Sequence, residues 1–150
     1  EGLEVEVIPG ISAYQATASE LKKELTIPGI VQTIILSRAS GRTGIPERES
    51  LENISKIGGS LCLYLSARHV EDVQKKLLLY YPKDTPVAIG HRVSWEDQWL
   101  QIVPLNEMAA KSKEKGFIRT TIYIVSPALR SSSNRSKLYY DGHKHLFRPR

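Results

Sequence analysis

The chain of 150 residues is long enough for one domain with a sizeable core and too short for two large ones, and 41% of its residues are hydrophobic. Its formal charge of +5 permits acidic partners, but much of the excess positive charge lies between residues 130 and 150, and the rest of the sequence shows no basic patch typical of nucleic-acid binding. No apolar run approaches the length of a membrane span, and the first residues lack a signal-peptide pattern, so we expect a cytoplasmic protein without membrane or nucleic-acid partners.

The spacing of apolar residues predicts strands and helices along most of the chain. Residues 4–8 alternate between valine and glutamate and lead through Pro9-Gly10 into a helical pattern, which is typical of a strand, a tight turn and a helix capped by Ser12. Residues 87–93 and 98–103 are extended runs around a Ser-Trp-Glu-Asp turn, which predicts a β-hairpin. The predicted strands are 4–8, 30–37, 61–65, 87–93, 98–103 and 120–126, and the predicted helices are 11–25, 46–57, 66–81 and 104–115.

This order predicts a three-layer α/β/α domain over residues 1–130, followed by a basic tail over residues 131–150. The early βα alternation favours parallel strands and the hairpin favours an antiparallel portion, so we expect a mixed, mainly parallel sheet of five or six strands. The sequence begins at Glu1 in the middle of a motif, and its one methionine is Met108. We therefore expect the chain to be part of a longer protein.

Several common catalytic motifs are absent from the sequence. It contains neither the G-x-G-x-x-G nor the Walker-type phosphate loop, and neither H-E-x-x-H nor G-x-S-x-G. Cys62, the single cysteine, lies in an apolar run, so we expect a small buried apolar group that forms no intrachain disulfide. His143 and His145 form the closest histidine pair, which supplies too few ligands for a metal site. We predict no metal, and the sequence assigns no general acid or base.

Two stretches contain residues suited to ligand contact, although ordinary loops give the same pattern. Gly10, Ser12 and Ala13 are small enough for close approach at the end of a strand, where open sheets place their ligands. The polar loop over residues 38–46 carries Arg38 and Arg42, and a guanidinium group binds a carboxylate through two parallel hydrogen bonds. This loop is either a grip on an anionic substrate or a solvated connection.

Six short segments together resemble the carboxyl-terminal half of the tetrapyrrole (corrin/porphyrin) methylases. They are Ile-Pro-Gly-Ile-Ser-Ala (8–13), Leu-Thr-Ile-Pro-Gly (25–29), Gln-Thr-Ile-Ile-Leu-Ser-Arg (32–38), Gly-Arg-Thr with Pro-Glu (41–47), Leu-Tyr-Leu-Ser (63–66), and Thr-Pro-Val-Ala with Ser-Trp-Glu-Asp-Gln (85–98). The segments 25–29, 41–47 and Ser-Lys-Leu-Tyr (136–139) more narrowly resemble the branch that methylates carbon 11 of precorrin-4. The resemblance covers nearly the whole chain.

The resemblance implies an enzyme of cobalamin biosynthesis. Such an enzyme transfers a methyl group from S-adenosylmethionine to carbon 11 of precorrin-4 or cobalt-precorrin-4 and releases S-adenosylhomocysteine. In this family the donor lies in a cleft between two α/β domains, and the enzymes are homodimers. The amino-terminal domain of the family, with its Gly-x-Gly-Pro-Gly-Asp-Pro loop, is missing from these residues. The chain is therefore expected to be the carboxyl-terminal half, inactive without its own amino-terminal domain.

The same resemblance assigns site residues one by one. The residues assigned to the methyl donor are Ser12, Ala13, Leu65, Val93, Thr120 and Thr121. Leu65 would line the adenosine pocket, and Val93 departs from the family pattern, in which a small residue is usual at that position. The residues assigned to the tetrapyrrole, whose carboxylates suit arginine, are Arg38, Arg42 and Thr43.

Two alternatives stay open at this point. The first is another corrin-ring or uroporphyrinogen methyltransferase of the same family. The second is a non-catalytic binding or assembly module that keeps the fold and uses its basic tail on an acidic partner. A nucleic-acid binder is a more distant alternative, for which a steep salt dependence of binding is the test.

Overall fold

A computed structural model describes residues 2–39 and 44–130 and arranges them as one mixed β-sheet with helices on both faces. The strands are β1 (Ile34–Arg38), β2 (Ser60–Tyr64), β3 (Pro86–His91), β4 (Trp99–Pro104) and β5 (Thr121–Val125). The α-helices are α1 (Ala13–Leu21), α2 (Leu51–Ser55), α3 (Val70–Leu77) and α4 (Met108–Glu114). Short 3-10 turns occupy Glu47–Glu49, Ala67–His69, Leu105–Glu107 and Pro127–Leu129.

The sheet has the strand order β1-β2-β5-β3-β4. β1 and β2 pair in parallel, whereas β5 runs antiparallel to both β2 and β3, and β4 runs antiparallel to β3. The predicted α/β fold with a mixed sheet is confirmed, but the expectation that the sheet is mainly parallel is wrong. The reason is topological, because β5 inserts between β2 and β3. Instead of one parallel pair between β2 and β3, the sheet has two antiparallel pairs, β2 with β5 and β5 with β3.

The sheet separates two apolar cores because successive residues of a strand point to opposite faces. On one face, Leu63, Ile89 and Tyr123 belong to the larger cluster, which also contains the inward residues of α2, α3 and α4. On the other face, Cys62 and Ile124 pack with α1 in a smaller cluster. Helices on both faces make the three layers that the sequence predicts.

Local patterns explain the helices and the hairpin. In α3 the residues Val70, Val73 and Leu77 are buried at spacings of three and four, acidic residues occupy the first turn, and basic residues occupy the last. Lys76 of α3 also lies 3.2 Å from a carboxylate oxygen of Glu52 in α2, so the two helices are joined at their surface. The predicted hairpin is confirmed, since β3 and β4 pair antiparallel from Pro86–Pro104 to His91–Trp99.

The predicted strand over residues 4–8 is wrong. Residues 2–12 contain no strand, and Leu3, Val5 and Val7 are 83–87% exposed. The alternation of apolar and acidic residues is present, but a strand also needs a neighbour for its N–H and C=O groups, and none of the described strands pairs with this segment. The sheet therefore has five strands.

Burial at Cys62 agrees with the prediction from its neighbours. The side chain is fully buried beside Ile124, and desolvation raises the pKa of the thiol from 9.0 to about 12. A neutral thiol in this position behaves as a small apolar group. The predicted burial of Cys62 is confirmed.

The helices in the described ranges are too short and polar to cross a membrane, since the longest, α1, has nine residues. The predicted basic tail over residues 131–150, its histidine pair, and the loop residues Arg42 and Thr43 lie outside the described residues. The division of the chain at residue 130 stays a prediction.

Candidate functional site

A pocket of about 480 Å³ opens at one end of the strands of the sheet, where two strands end and a third begins. It lies at the carboxyl ends of β2 and β3 and at the amino end of β5. These ends meet because β5 runs antiparallel between β2 and β3, so that its start lies beside the finish of both neighbours. The residues that line the pocket are Ala13, Tyr64, Leu65, Ala67, Arg68, Gly90, Arg92, Val93, Trp95, Ile118, Arg119, Thr120, Thr121 and Ile122.

The start of α1 is tied to the pocket by Tyr64, the last residue of β2. The hydroxyl oxygens of Ser12 and Tyr64 are 2.6 Å apart, and the backbone N–H of Tyr14 donates to the same tyrosine oxygen at 3.3 Å. Ser12 is the N-cap residue of α1, and its own N–H donates to Gln15 Oε1 at 3.0 Å. Tyr64 therefore fixes where α1 begins, and this leaves Ala13 at the pocket wall.

Three of the residues that line the pocket adopt left-handed backbone conformations. Leu65, Arg92 and Thr120 have φ angles of 53°, 50° and 53°. Residues with side chains rarely occupy this region, which costs on the order of 1–2 kcal/mol each. Two of these bends follow β2 and β3, and the third precedes β5. Such strain persists where the surrounding structure dictates it, and it is concentrated at functional sites.

Gly90 of β3 lines the pocket at a position that leaves no room for a side chain. A β-carbon at this position would lie 2.7 Å from Val93 Cγ2 and 3.1 Å from both Ile122 Cγ2 and Thr17 Oγ1. The absence of a side chain at residue 90 thus makes room for the branched side chain of Val93. This pairing explains how the chain accommodates valine at position 93, where the family resemblance predicts a smaller residue.

A short hydrogen-bonded series fixes the bend before β5. Thr121 Oγ1 donates to the carbonyl oxygen of Arg119 at 2.9 Å and lies 3.0 Å from His91 Nδ1. A hydrogen bond thus joins His91 to the residue after Thr120 with either imidazole tautomer. The imidazole also stacks on Phe117 with 4.2 Å between ring centroids, and burial and the charge of Arg92 lower the pKa of His91. The bend at Thr120 is therefore held from both sides.

The pocket carries positive charge. Arg92 is paired with Asp97 and lies over the Trp95 ring, with 4.7 Å from its guanidinium carbon to the ring centroid. Arg68 and Arg119 also line the pocket, from the turn before α3 and the segment before β5. None of the lining residues is acidic.

The structure brings together five of the six residues assigned to the methyl donor: Ala13, Leu65, Val93, Thr120 and Thr121. Ser12 stands beside the pocket, but its hydroxyl is engaged with Tyr64 and it does not line the wall. Of the residues assigned to the tetrapyrrole, Arg38 ends β1 opposite Tyr64 in register and does not line the pocket. Their ligand contacts stay predictions.

Sequence reasoning missed the other polar and aromatic residues of the pocket. These are Tyr64, Arg68, Arg92, Trp95 and Arg119. Tyr64 and Trp95 lie inside the segments that carry the family resemblance, so proximity to Leu65 and Val93 was the available signal. The three arginines had no signal that separated them from the other basic residues of the chain. In the described ranges, no three His, Cys, Asp or Glu side chains are grouped to hold a metal ion.

A pocket with apolar walls and a few polar groups at the strand ends of an α/β sheet is typical of a domain that binds a small molecule. The sequence profile of the tetrapyrrole (corrin/porphyrin) methylases matches residues 1–109. The chain belongs to this family.

Individual relatives point to one branch of the family. The chain is 37% identical over 149 residues to the precorrin-4 C(11)-methyltransferase of Pseudomonas aeruginosa, covering 99% of the chain and 60% of that protein. It is 36% identical over 149 residues to the cobalt-precorrin-4 C(11)-methyltransferase of Methanocaldococcus jannaschii, covering 98% of the chain and 58% of that protein. The solved structure of a cobalt precorrin-4 methyltransferase of cobalamin biosynthesis superposes with a TM-score of 0.82 at 30% identity, covering 87% of this chain and 55% of that one.

The length of these relatives bears on what the chain can do. This chain spans about 60% of the length of the two curated relatives named above.

Proposed function

We propose that this chain is the carboxyl-terminal part of an S-adenosylmethionine-dependent C-methyltransferase that acts on carbon 11 of precorrin-4 or cobalt-precorrin-4 in cobalamin biosynthesis. The observation that carries the proposal is that five residues assigned to the donor from separate parts of the sequence line one pocket. The identities of 37% and 36% to the metal-free and cobalt branches favour neither substrate form over the other.

The pocket suits an adenosyl compound in size and chemistry. Its volume of about 480 Å³ falls in the range of small-molecule sites. Leu65, Val93 and Ile122 supply apolar wall, and Trp95, 55% exposed, supplies an aromatic surface. Thr120 adds a hydroxyl and a sharply turned backbone. S-adenosylmethionine, when bound, supplies an electrophilic methyl group.

The residues of this chain contribute by positioning. Methyl transfer is an in-line displacement, and its acceleration comes largely from holding donor and acceptor in alignment. Tyr64 fixes the start of α1, and Thr121 fixes the bend at Thr120, so two walls of the pocket are held before any ligand arrives. Ser12 acts in this scheme as an anchor of the wall through Tyr64.

The exposed apolar side chains before α1 are an argument for a second domain that covers them. Leu3, Val5, Val7, Ile8 and Ile11 are 79–87% exposed and lie within one segment, residues 3–11. Burying such a side chain is worth roughly 1.5–3 kcal/mol, and soluble proteins seldom leave several together in water. An amino-terminal domain that pairs with this segment as a strand would cover these side chains and give residues 4–8 the partner that they lack here. We propose the same domain as the other wall of the donor cleft, in a homodimeric cytoplasmic enzyme.

The test uses the full-length protein, meaning this chain together with the amino-terminal domain proposed above. We expect transfer of a labelled methyl group from S-adenosylmethionine to precorrin-4 or its cobalt form, and binding of S-adenosylhomocysteine in isothermal titration. Ala13→Trp places an indole at the pocket wall and should abolish both. Ser19→Trp, on an exposed position of the same helix outside the pocket, is the matched control.

The outcomes separate the proposal from its alternatives. Methyl transfer to another corrin ring position or to uroporphyrinogen supports the fold and pocket but replaces the substrate. Failure of the full-length protein to bind S-adenosylhomocysteine favours a non-catalytic module. Equal loss in the Ala13 and Ser19 variants contradicts the placement of the donor in this pocket.

A further inference from the structure

The described arginines differ in whether they have a partner in the chain. Arg48, Arg92 and Arg130 each form an ion pair with a nearby carboxylate. Arg38 also has an interaction within the chain. Among the described residues, the guanidinium groups of the two remaining arginines, Arg68 and Arg119, make no ion pair or hydrogen bond.

Both unpartnered arginines line the pocket. They reach it from different elements: Arg68 from the turn Ala67–His69 after β2, and Arg119 from the segment that leads into β5. The third arginine of the pocket, Arg92, is already neutralised by Asp97. The lining contains no carboxylate, so two positive charges at the pocket are left without compensation from the described chain.

The backbone at each arginine is fixed even though its side chain is exposed. The carbonyl of Arg119 accepts the hydrogen bond from Thr121 Oγ1, and the next residue, Thr120, is held in its left-handed bend. Arg68 follows Ser66, a buried residue whose hydroxyl accepts from the N–H of Ala39 and donates to the carbonyl of Tyr64. The two side chains are thus presented at the pocket from anchored positions.

We infer that Arg68 and Arg119, which both line the pocket, form a carboxylate clamp there. A guanidinium group binds a carboxylate through two parallel charge-assisted hydrogen bonds, and both groups are free to do so. The inference rests on the proposed function, which offers two sources of carboxylate: the side chains of the tetrapyrrole and the amino-acid end of the donor. The clamp explains recognition of acidic substrate in a pocket that otherwise has apolar walls.

The experiment measures two affinities in the full-length protein. Quenching of tryptophan fluorescence, or titration calorimetry, gives the dissociation constants of uroporphyrin, a polycarboxylated tetrapyrrole, and of S-adenosylhomocysteine. The variants are Arg68→Gln and Arg119→Gln. Arg48→Gln removes the same charge from an exposed arginine outside the pocket and is the matched control.

We expect each pocket variant to weaken binding of one carboxylate ligand about tenfold or more relative to Arg48→Gln, because charge-assisted hydrogen bonds are lost. Weakened uroporphyrin binding with unchanged S-adenosylhomocysteine binding identifies the tetrapyrrole as the source. Weakened S-adenosylhomocysteine binding with unchanged binding of methylthioadenosine, which lacks the carboxylate, identifies the donor. Arg68→Lys and Arg119→Lys keep the charge but lose the bidentate geometry, so they should fall between wild type and the glutamine variants.

The clamp and the proposed function fail in different ways. If wild type binds S-adenosylhomocysteine and transfers methyl groups while the pocket variants match Arg48→Gln for every ligand, the clamp is overturned and the proposed function stands. If wild type binds neither ligand, both are overturned. Circular dichroism of each variant checks that the fold is intact, which we expect since both side chains are exposed.

Discussion

Gly90→Ala should destabilise the protein, although alanine is usually the better residue in a strand. An alanine β-carbon would lie 2.7 Å from Val93 Cγ2, whereas non-bonded carbon atoms prefer separations of about 3.5–4.0 Å. It would also lie 3.1 Å from Ile122 Cγ2 and Thr17 Oγ1. Thr17 has little freedom to retreat, because it is fully buried and its hydroxyl donates to the carbonyl of Ala13 at 2.7 Å.

The size of the effect follows from two opposing contributions. Overpacking a core site costs typically about 1–3 kcal/mol, while replacing glycine by alanine in a strand returns roughly 0.5–1 kcal/mol of backbone entropy. We expect a net loss of about 1–2 kcal/mol in the free energy of unfolding, or a melting temperature lower by roughly 5 °C. Val93 should also be pushed toward the pocket, so that binding of S-adenosylhomocysteine weakens.

A double-mutant cycle identifies the contact responsible. Val93→Ala removes the closest atom, so the double variant Gly90→Ala/Val93→Ala should be about 1 kcal/mol more stable than the sum of the two single effects predicts. The recovery should be partial, since the contacts at 3.1 Å remain. Unfolding in urea, followed by circular dichroism, gives each value. Gly10→Ala is the control because a β-carbon there would have nothing within 4 Å. An unchanged stability of Gly90→Ala, or additive effects in the cycle, refutes the reasoning.

Four further predictions concern single residues. Tyr64→Phe should cost about 1 kcal/mol of stability in urea unfolding and weaken binding of S-adenosylhomocysteine, because Ser12 loses its 2.6 Å partner; unchanged binding contradicts the anchoring role. Leu65→Gly should leave stability unchanged or raise it by up to about 1 kcal/mol while weakening ligand binding, since the 80% exposed leucine occupies a left-handed conformation; a marked loss of stability argues against strain. Cys62 should react with a thiol reagent only as fast as the protein unfolds, because the rise of its pKa from 9.0 to about 12 lowers the thiolate fraction roughly a thousandfold; rapid labelling of the native protein rejects this. Since the unfolded chain loses this proton at a lower pH than the folded protein, the stability due to the buried neutral thiol should be complete below about pH 9 and lost toward pH 12. The pKa of His91 is lowered in the folded state, so protonation favours unfolding. The stability of the wild type should therefore fall as the pH drops below about 6.5, and that of His91→Phe should not, when both are measured above the range where carboxylates titrate.

The elements predicted well are those whose pattern is complete within a short stretch. The residues of α3 carry their own spacing of apolar positions and their own charge complement, and β3 and β4 are joined by a short turn. The predicted strand over residues 4–8 fails for the opposite reason. Its alternation is correct, but its partner strand is not among the described strands of this chain, and alternation alone cannot supply hydrogen bonds.

Strand direction was the part of the fold that local pattern could not determine. Residues of β5 are uniformly buried, a pattern that parallel and antiparallel central strands share. Whether β5 lies at the edge or between β2 and β3 depends on contacts far apart in sequence, such as Leu63 with Tyr123 and Gly90 with Ile122. This placement creates the pocket, because it brings the bend at Thr120 beside the ends of the neighbouring strands.

The predicted pocket residues were recognisable from local sequence, whereas the missed ones depend on contacts between distant parts of the chain. Ala13, Leu65 and Val93 were predicted because motif segments with recognisable spacing contain them. Arg68 and Arg119 were missed because their distinguishing feature is the absence of a nearby carboxylate among the described residues. This feature depends on which residues are neighbours in space, and the sequence alone does not show it.

The exposed segment and the pocket are connected through the start of α1. Ile11 is 79% exposed and belongs to the uncovered apolar stretch, and Ala13, two residues later, lines the pocket. Two peptide units span at most about 8 Å, so a domain that covers Ile11 comes close to Ala13 at the pocket wall. Under the proposed function, covering the apolar segment and closing the donor cleft are therefore one event. Binding of S-adenosylhomocysteine should then stabilise the contact between the two domains, and loss of that contact should weaken binding to the same extent, because the coupling between the two equilibria is reciprocal.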